Sequence, residues 1–289
     1  MRHSSLEYLR CVNCISKLEL EPYKESDEVD EGFLFCSNCR VRYPIISKIA
    51  IMWSNLSSYL SNRARLGGYL MLQCKNPELR SIVKKSLKAI NKNTADVTKV
   101  EERWVQTYKN SLKSKFYSRM RDHIRKFPRY NAVLEHGCSI GYITKELAKR
   151  HDLAFGIDQS FFTILEAKKN NSKNLDYFVA NSLKPPFGER KFGLIVALNI
   201  LELIEPLDLL NLISSQVKGT IMISDPYDFE RGQNTVKNKL DPKLLRSEIE
   251  RRGFKLIHGT KKPRFIPWKL NINSRLSLHY KVDLVIARN

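Results

Sequence analysis

The sequence has no long uninterrupted apolar run. Its longest apolar stretch, FGLIVALNILELI at residues 192–204, is broken by Asn199 and Glu202 and falls short of the roughly 20 residues a membrane helix needs. The opening MRHSSLEYLR lacks the apolar centre of a secretory leader. Together these absences predict a soluble, cytoplasmic protein with no membrane attachment. Acidic residues are scarce too: 30 Asp and Glu stand against 50 Lys and Arg in 289 residues, a formal net charge of +20. With 12 Gly and 11 Pro the chain is neither collagen-like nor low in complexity, and its length suggests about two domains. The six cysteines, in a reducing compartment, point to thiols or metal ligands rather than disulfides.

The excess charge is local. Residues 1–54 carry 7 basic and 8 acidic side chains and residues 131–230 carry 10 and 13, so both segments are slightly negative. Residues 55–130 carry 18 against 5 and residues 231–289 carry 15 against 4. An excess so placed attracts an anionic partner, nucleic acid among the candidates. Abundant Lys, Asn and Ile along the whole chain offer the plainer explanation of compositional bias.

Four cysteines, Cys11, Cys14, Cys36 and Cys39, form the pairs CVNC and CSNC with 21 residues between them. That spacing suits two knuckles around one tetrahedral zinc, with the spacer folding as a hairpin that brings them together. Four thiolates with no histidine nearby leave no open ligand position, so the expected zinc is structural. A module of this size has little core of its own, and metal binding offsets much of its folding cost. The segments YLRCVNCISKLELE and GFLFCSNCRVRYPIISKIAIM resemble the zinc-ribbon activator subunit of tRNA and release-factor methyltransferases, with Arg42-Tyr43-Pro44-Ile45-Ile46 the most distinctive part. The resemblance covers residues 6–53 and implies a supporting module, here fused in cis. We place the ribbon at residues 1–54.

Residues 55–130 read as a basic helical connector. Leu79, Ile82, Val83, Leu87 and Ile90 follow helical spacing. So do Val100, Trp104, Tyr108, Leu112, Phe116, Met120 and Ile124, in one helix that should stop near Phe127 because Pro128 disfavours helical geometry before it. The opposite face of this second helix holds Arg103, Lys109, Lys113, Lys115, Arg119, Arg121 and Arg125. The aromatic stripe reads as core, and Cys74, placed on a helix, as a small buried hydrophobe.

From Asn131 apolar runs alternate with helical segments, the pattern of a parallel sheet with crossover helices. Strands are expected near 131–136, 153–158, 176–180, 192–198, 219–224, 254–259 and 279–287. In NAVLEHGCSIGYITKELAKR, Gly137 and Gly141 bracket a tight strand-to-helix turn that lets a ligand approach the backbone. Asp158 ends the next strand, where a carboxylate can accept both hydroxyls of a ribose. A dinucleotide fingerprint would need Gly where Ser139 and Tyr142 stand. S-adenosylmethionine has no phosphate to cradle and carries an ammonium and a sulfonium, which suit Glu135 at the entrance to the turn.

Over residues 104–289 the chain resembles the class I S-adenosylmethionine-dependent methyltransferases, through VLEHGCSIG, FGIDQS, YFVANSLKPPF and FGLIVALNILELIEPL. The resemblance implies a Rossmann-like α/β fold with a seven-stranded, mostly parallel sheet whose last strand is antiparallel, over residues 131–289. It places Glu135, Gly137, Cys138 and Gly141 around the methionine part, Asp158 and Gln159 at the ribose, Asn181 and Ser182 at the adenine edge, and Asn199 beneath the cofactor. Ser139, Asn181, Gly193 and Leu203 depart from the family's usual residues. The turn also spells GxSxG, the hydrolase nucleophile elbow, which would recruit Ser139, Asp225 and His258 or His279. That reading lacks the strands expected before an elbow and any HGGG-type segment.

Substrate contacts are expected after the fifth strand, in ISDPYDFERG, where Asp225, Tyr227 and Asp228 are candidates to orient or deprotonate an acceptor. A second candidate region is KKPRFIPWKLNINSRLSLHYKV, with Trp268, Arg275, His279 and Tyr280. The sequence has no NPPY tetrad and no cysteine motif of carbon-methylating enzymes, so the acceptor stays open: RNA is slightly favoured over a small molecule or protein. The competing reading is a noncatalytic nucleic-acid-binding or adaptor protein on a degenerate methyltransferase fold.

Overall fold

The structure is a computed structural model and describes residues 1–89, 95–170, 172–230, 236–257 and 259–289. The chain begins with four strands, β1 (Glu19–Glu25), β2 (Val29–Phe35), β3 (Arg42–Ile46) and β4 (Ile49–Met52), paired antiparallel in sequence order. The β1–β2 hairpin is the cysteine spacer. β3 and β4 are joined through Ser47 and Lys48, both at positive φ (53° and 68°), the backbone that a two-residue hairpin turn requires.

Five helices follow: α1 (Leu56–Leu60), α2 (Ala64–Gln73), α3 (Pro77–Lys88), α4 (Thr98–Ser111) and α5 (Lys115–Ile124). α3 starts where Asn76 Oδ1 accepts the amides of Glu78 and Leu79 and Pro77 supplies a first residue with no N–H to satisfy. Leu79 and Val83 are buried on its inner face, while Ile90 lies outside the described residues. Cys74 is buried just past the end of α2 rather than within a helix. The single helix read from Val100 to Phe127 is two, broken at residues 112–114, and its second half ends at Ile124.

The remaining elements are β5 (Ala132–His136), α6 (Tyr142–Ala148), β6 (Leu153–Asp158), α7 (Phe161–Lys168), β7 (Leu175–Ala180), β8 (Phe192–Leu198), α8 (Pro206–Gln216), β9 (Val217–Asp225), α9 (Pro242–Arg251), β10 (Lys255–Leu256), β11 (Phe265–Asn271) and β12 (Ser277–Arg288). Strand order β7-β6-β5-β8-β9-β12-β10, with β5 to β9 parallel and β12 antiparallel, is the expected seven-stranded class I sheet. The strand expected at 254–259 shrinks to the two residues of β10, and β11 takes up the rest of that edge of β12. The sheet also continues at its other edge. β4 pairs in parallel with β7, Ile51 opposite Val179 and Met52 opposite Ala180, making twelve strands among the described residues.

The ribbon and the cofactor fold share one core. Phe33, Ile46, Ile49 and Ile51 are buried in the same cluster as Ile164, Leu175 and Val179. Beside them lies a buried ionic cluster. Lys168 reaches Glu28 of the ribbon (2.9 Å) and Asp176 of β7, and Asp176 Oδ2 accepts the Arg2 amide (2.8 Å) and the Ser5 hydroxyl (2.7 Å). Removing one member leaves an uncompensated charge and two stranded donors. Asp176→Ala is therefore expected to lower unfolding stability by about 3 kcal/mol in denaturant titrations; an unchanged midpoint would show that the ribbon docks without this cluster.

Candidate active site

The reversal of strand order between β5 and β8 opens a crevice at the carboxyl ends of the parallel strands, where open α/β sheets bind ligands. A cavity of about 540 Å³ occupies it. Its floor includes Glu135, Gly137, Cys138, Asp158, Gln159, Asn181, Ser182 and Asn199, eight of the nine residues expected at the cofactor. The ninth, Gly141, acts from behind: at φ +71°, a Cβ there would lie 2.5 Å from Tyr177 Oη, which donates to the Gly141 carbonyl (3.0 Å). Gly137 is at φ +63°, and a Cβ there would meet Ile200 at 2.8 Å.

Two of the departures from the family pattern, Ser139 and Gly193, have local explanations. Ser139 adopts φ +49° in place of the usual glycine, and its amide donates to Asp158 Oδ2 (2.9 Å). Gly193 carries no side chain because the Tyr130 ring lies 2.4 Å from where its Cβ would be. Asn199 sits at φ +56°, a conformation asparagine tolerates, and its Oδ1 accepts the Ser224 hydroxyl (2.9 Å).

The connector contributes more of the cavity than its sequence suggested. Trp104, Tyr108, Phe116 and Tyr117 line it together with Trp268 of β11, so the aromatic stripe is a roof over the site as well as core. Phe116 packs on Trp268 (5.6 Å between ring centres), Tyr117 on Tyr142 (5.2 Å), and Tyr280 backs Trp268 (5.6 Å). The break between α4 and α5 seats the hairpin: Ser111 and Ser114 hydroxyls accept the Asn271 and Lys269 amides, covering an otherwise unpaired strand edge. Arg63 and Glu101, neither singled out from sequence, form a largely buried ion pair on the wall (2.8 Å). No local signal marks them, because their meeting depends on how α1 to α4 pack.

The charged side chains lining the cavity are Arg63, Glu101, Glu135 and Asp158, so it is acidic inside a basic protein. Burial pushes the Glu135 carboxyl up to about 8, even though the Thr144 hydroxyl donates to it (2.5 Å). Burial also raises Asp158 and drives the Cys138 thiol well above its ordinary range, which makes the thiol an inert wall.

The candidate acceptor groups divide. Trp268 lines the cavity and Tyr280 stands behind it, whereas Arg275 is exposed at the tip of the β11–β12 hairpin. Asp225, Tyr227 and Asp228 lie outside the lining. The Asp225 carboxylate accepts the amides of Leu201 (3.0 Å) and Tyr227 (2.8 Å), and the Tyr227 hydroxyl donates to Asp283 (2.9 Å), which also holds Arg246 (2.6 Å). These contacts brace the loops at the end of β9, and we derive no proton transfer through them. Arg231 and Gly232 of that segment lie outside the described residues, as does His258. With Asp225 so engaged and His279 exposed beside Ser277, the hydrolase arrangement around Ser139 is not assembled.

In the ribbon, the sulfurs of Cys11, Cys14, Cys36 and Cys39 all lie within 4.8 Å of one another, with two contacts at 3.4 Å. Zinc about 2.3 Å from each sulfur would set them roughly 3.8 Å apart, so the set fits a tetrahedral ion. The Val12 amide donates to Tyr43 Oη (3.2 Å), leaving the tyrosine hydrogen to face Cys11 Sγ (3.1 Å).

Residues 133–218 match a methyltransferase domain family. No curated protein is significantly similar in sequence. Among solved structures, the fold is similar to a chain in the complex of the Haloferax volcanii Trm112 methyltransferase activator with a methyltransferase (13% identity, 66% of this chain and 96% of that one, TM-score 0.53). It is also similar to magnesium protoporphyrin IX methyltransferase of Synechocystis with bound S-adenosylhomocysteine (13%, 66% and 94%, 0.50). A third similar structure is the N-methyltransferase NodS of Bradyrhizobium japonicum, also with S-adenosylhomocysteine (13%, 67% and 98%, 0.50). The chain has the fold of the class I methyltransferases, with a methyltransferase-family segment at residues 133–218 and an N-terminal four-cysteine ribbon. Among the described residues no helix is long and apolar enough to cross a membrane.

The cavity fits S-adenosylmethionine. Its acidic interior suits a cation, Gly137 keeps the turn clear of side chain, and the buried Ser139 Oγ and Glu101 Oε2 have no partner among the described residues.

Proposed function

We propose that Glu135 and the turn around Gly137 hold the methionine end of S-adenosylmethionine, that Asp158 with Gln159 binds the ribose and Asn181 with Ser182 the adenine, and that the acceptor lies under the aromatic roof. The cofactor supplies an electrophilic methyl group on its sulfonium. The chain's own part is to orient both partners and exclude water: Trp104, Phe116, Tyr117 and Trp268 offer flat apolar faces to a flat acceptor. Among the described residues the lining holds no His or Lys, which suits an acceptor that needs no strong base.

The observation that carries this reading is an acidic, aromatic-roofed cavity beneath a basic exterior. Residues 261–282 contain six Lys and Arg and no acid. On the hairpin, Lys269 pairs with His279 and Pro267 with Lys281, and all four are exposed on the face turned away from Trp268. Lys115 and Arg119 of α5 are exposed nearby in the fold. Such an exterior can hold phosphates while a single base enters the aromatic interior, so we infer an acceptor carried on RNA. Incubation with methyl-labelled S-adenosylmethionine and separated RNA, protein and metabolite fractions is expected to label RNA. Label confined to metabolites would overturn the RNA assignment, and label in no fraction would overturn methyl transfer.

The reading of Glu135 has a pH signature. Below about pH 8 its buried carboxyl holds a proton that must leave before it can face an ammonium, so binding releases a proton. Affinity measured by calorimetry should rise with pH, by at most about one decade per pH unit, and level off near pH 8. Glu135→Gln should abolish the rise; an unaltered slope would exclude Glu135 as its source. The cysteine cluster, we infer, binds one structural zinc per chain, and Cys36→Ser should lose the metal on elemental analysis together with much of the ribbon's thermal stability.

A further inference from the structure

A vicinal diol brings two hydroxyl donors, and Asp158 has one acceptor position left for them while the Thr163 hydroxyl points to it. A carboxylate offers about four lone-pair positions. Asp158 Oδ1 accepts the Ser160 amide (2.8 Å) and Oδ2 the Ser139 amide (2.9 Å), while the one Thr163 hydroxyl proton is shared between Oδ1 (3.2 Å) and the Ser160 carbonyl (2.8 Å). The protein's own turn thus takes two of the four positions and shares a third, so this carboxylate can serve both ribose hydroxyls only with Thr163 turned to the Ser160 carbonyl.

Glu101 supplies what is missing. It stands in the first turn of α4 and lines the same cavity. Its Oε1 takes two hydrogen bonds from Arg63, at 3.0 Å from Nε and 2.8 Å from Nη2, while its Oε2 is buried with no partner among the described residues. Arg63 is itself fixed by the Tyr59 carbonyl (3.2 Å) and Asn62 Oδ1 (2.9 Å), and it stacks over the Tyr59 ring at 4.8 Å. Tyr59 in turn donates to the carbonyl of Gln159, the residue after Asp158 (2.9 Å). The free oxygen is thus held by a braced arginine and tied to the loop that carries Asp158. A buried carboxylate oxygen without a donor is costly, and a ligand hydroxyl would relieve that cost.

We propose that Glu101 Oε2 accepts the second ribose hydroxyl of the cofactor, so that the diol is shared between Asp158 of the sheet and Glu101 of the connector. The positive charge of Arg63 lets two carboxylates stand close together on one wall. The assignment rests on the reading of this cavity as the S-adenosylmethionine site, and it makes the connector part of the cofactor site as well as a cover for the acceptor.

Calorimetry on the full chain tests it with S-adenosylmethionine and its 2′-deoxy and 3′-deoxy forms. Wild-type protein is expected to bind each deoxy form roughly tenfold more weakly or worse, the scale of a hydrogen bond to a charged group. Glu101→Ala should weaken S-adenosylmethionine by a similar factor and erase the penalty for one of the two deoxy forms. A merely structural glutamate would leave both penalties in full, and that outcome overturns the proposal. Arg63→Ala/Glu101→Ala removes the buried pair together and leaves no stranded guanidinium, so it serves if the single variant fails to fold; the same loss of one penalty is expected. If the wild type binds S-adenosylmethionine, Asp158→Ala abolishes binding and both Glu101 variants keep full affinity, only this inference falls. A wild type that does not bind S-adenosylmethionine overturns the cofactor reading with it.

Discussion

The direction in which β4 joins β7 governs the layout of the molecule. The pairing is parallel, so β4 ends at the same edge of the sheet as β5 to β8 end, the edge where the cavity opens. The chain therefore leaves the ribbon at the end of the sheet where the site lies, and α4 and α5 pack over the cavity. Had the strand joined antiparallel, the connector would emerge at the far edge and the cavity would lack Arg63, Glu101 and the aromatic roof. The four cysteines act on this at a distance: they tie the knuckles at either end of the β1–β2 hairpin, from which β3 and β4 run to the sheet edge. The supporting role of the ribbon is then geometric. It covers the edge of β7 that would otherwise be unpaired and launches the helices that close the site.

The parts of the site that could be read from sequence are those whose geometry is local. A strand, a turn and a helix in succession place Glu135, Gly137 and Gly141 within one unit, and the next strand brings Asp158 beside them by parallel pairing alone. The same logic recovers Asn181, Ser182 and Asn199, each at the end of its strand. Glu101 and Arg63 were illegible because they are 38 residues apart and meet only when the turn between α1 and α2 packs against the start of α4. Asp225 illustrates the opposite error. Its position at the end of a strand suggested chemistry, but the structure engages its oxygens with backbone amides. Whether a carboxylate is available to a ligand depends on how many of its lone pairs the chain already uses, and residue type and spacing do not carry that number. The same count shows Asp158 already engaged by two backbone amides.

Helix boundaries show a related limit. The apolar spacing from Val100 to Ile124 is continuous, yet the helix breaks at residues 112–114. Serines on either side of the break accept amides from β11, a strand more than 150 residues later. Periodicity records which residues face the core and is silent about which polar groups must be met by a distant edge.

Charge divides along the same boundary. The +20 of the chain lies outside the cavity, on the connector and on the hairpin that closes it, while the interior is acidic. A polyanion attracted by the exterior cannot place its phosphates beside Glu101 and Asp158 without repulsion, so on the proposed reading the uncharged part of the acceptor passes under the roof. A cation meets the reverse situation, repelled at a distance and held once inside. On the proposed reading a sulfonium cofactor enters against the outer field and is retained by the inner one. On that reading cover and carboxylate come from one element, because α4 brings Trp104 and Tyr108 to the roof of the cavity and Glu101 to its wall.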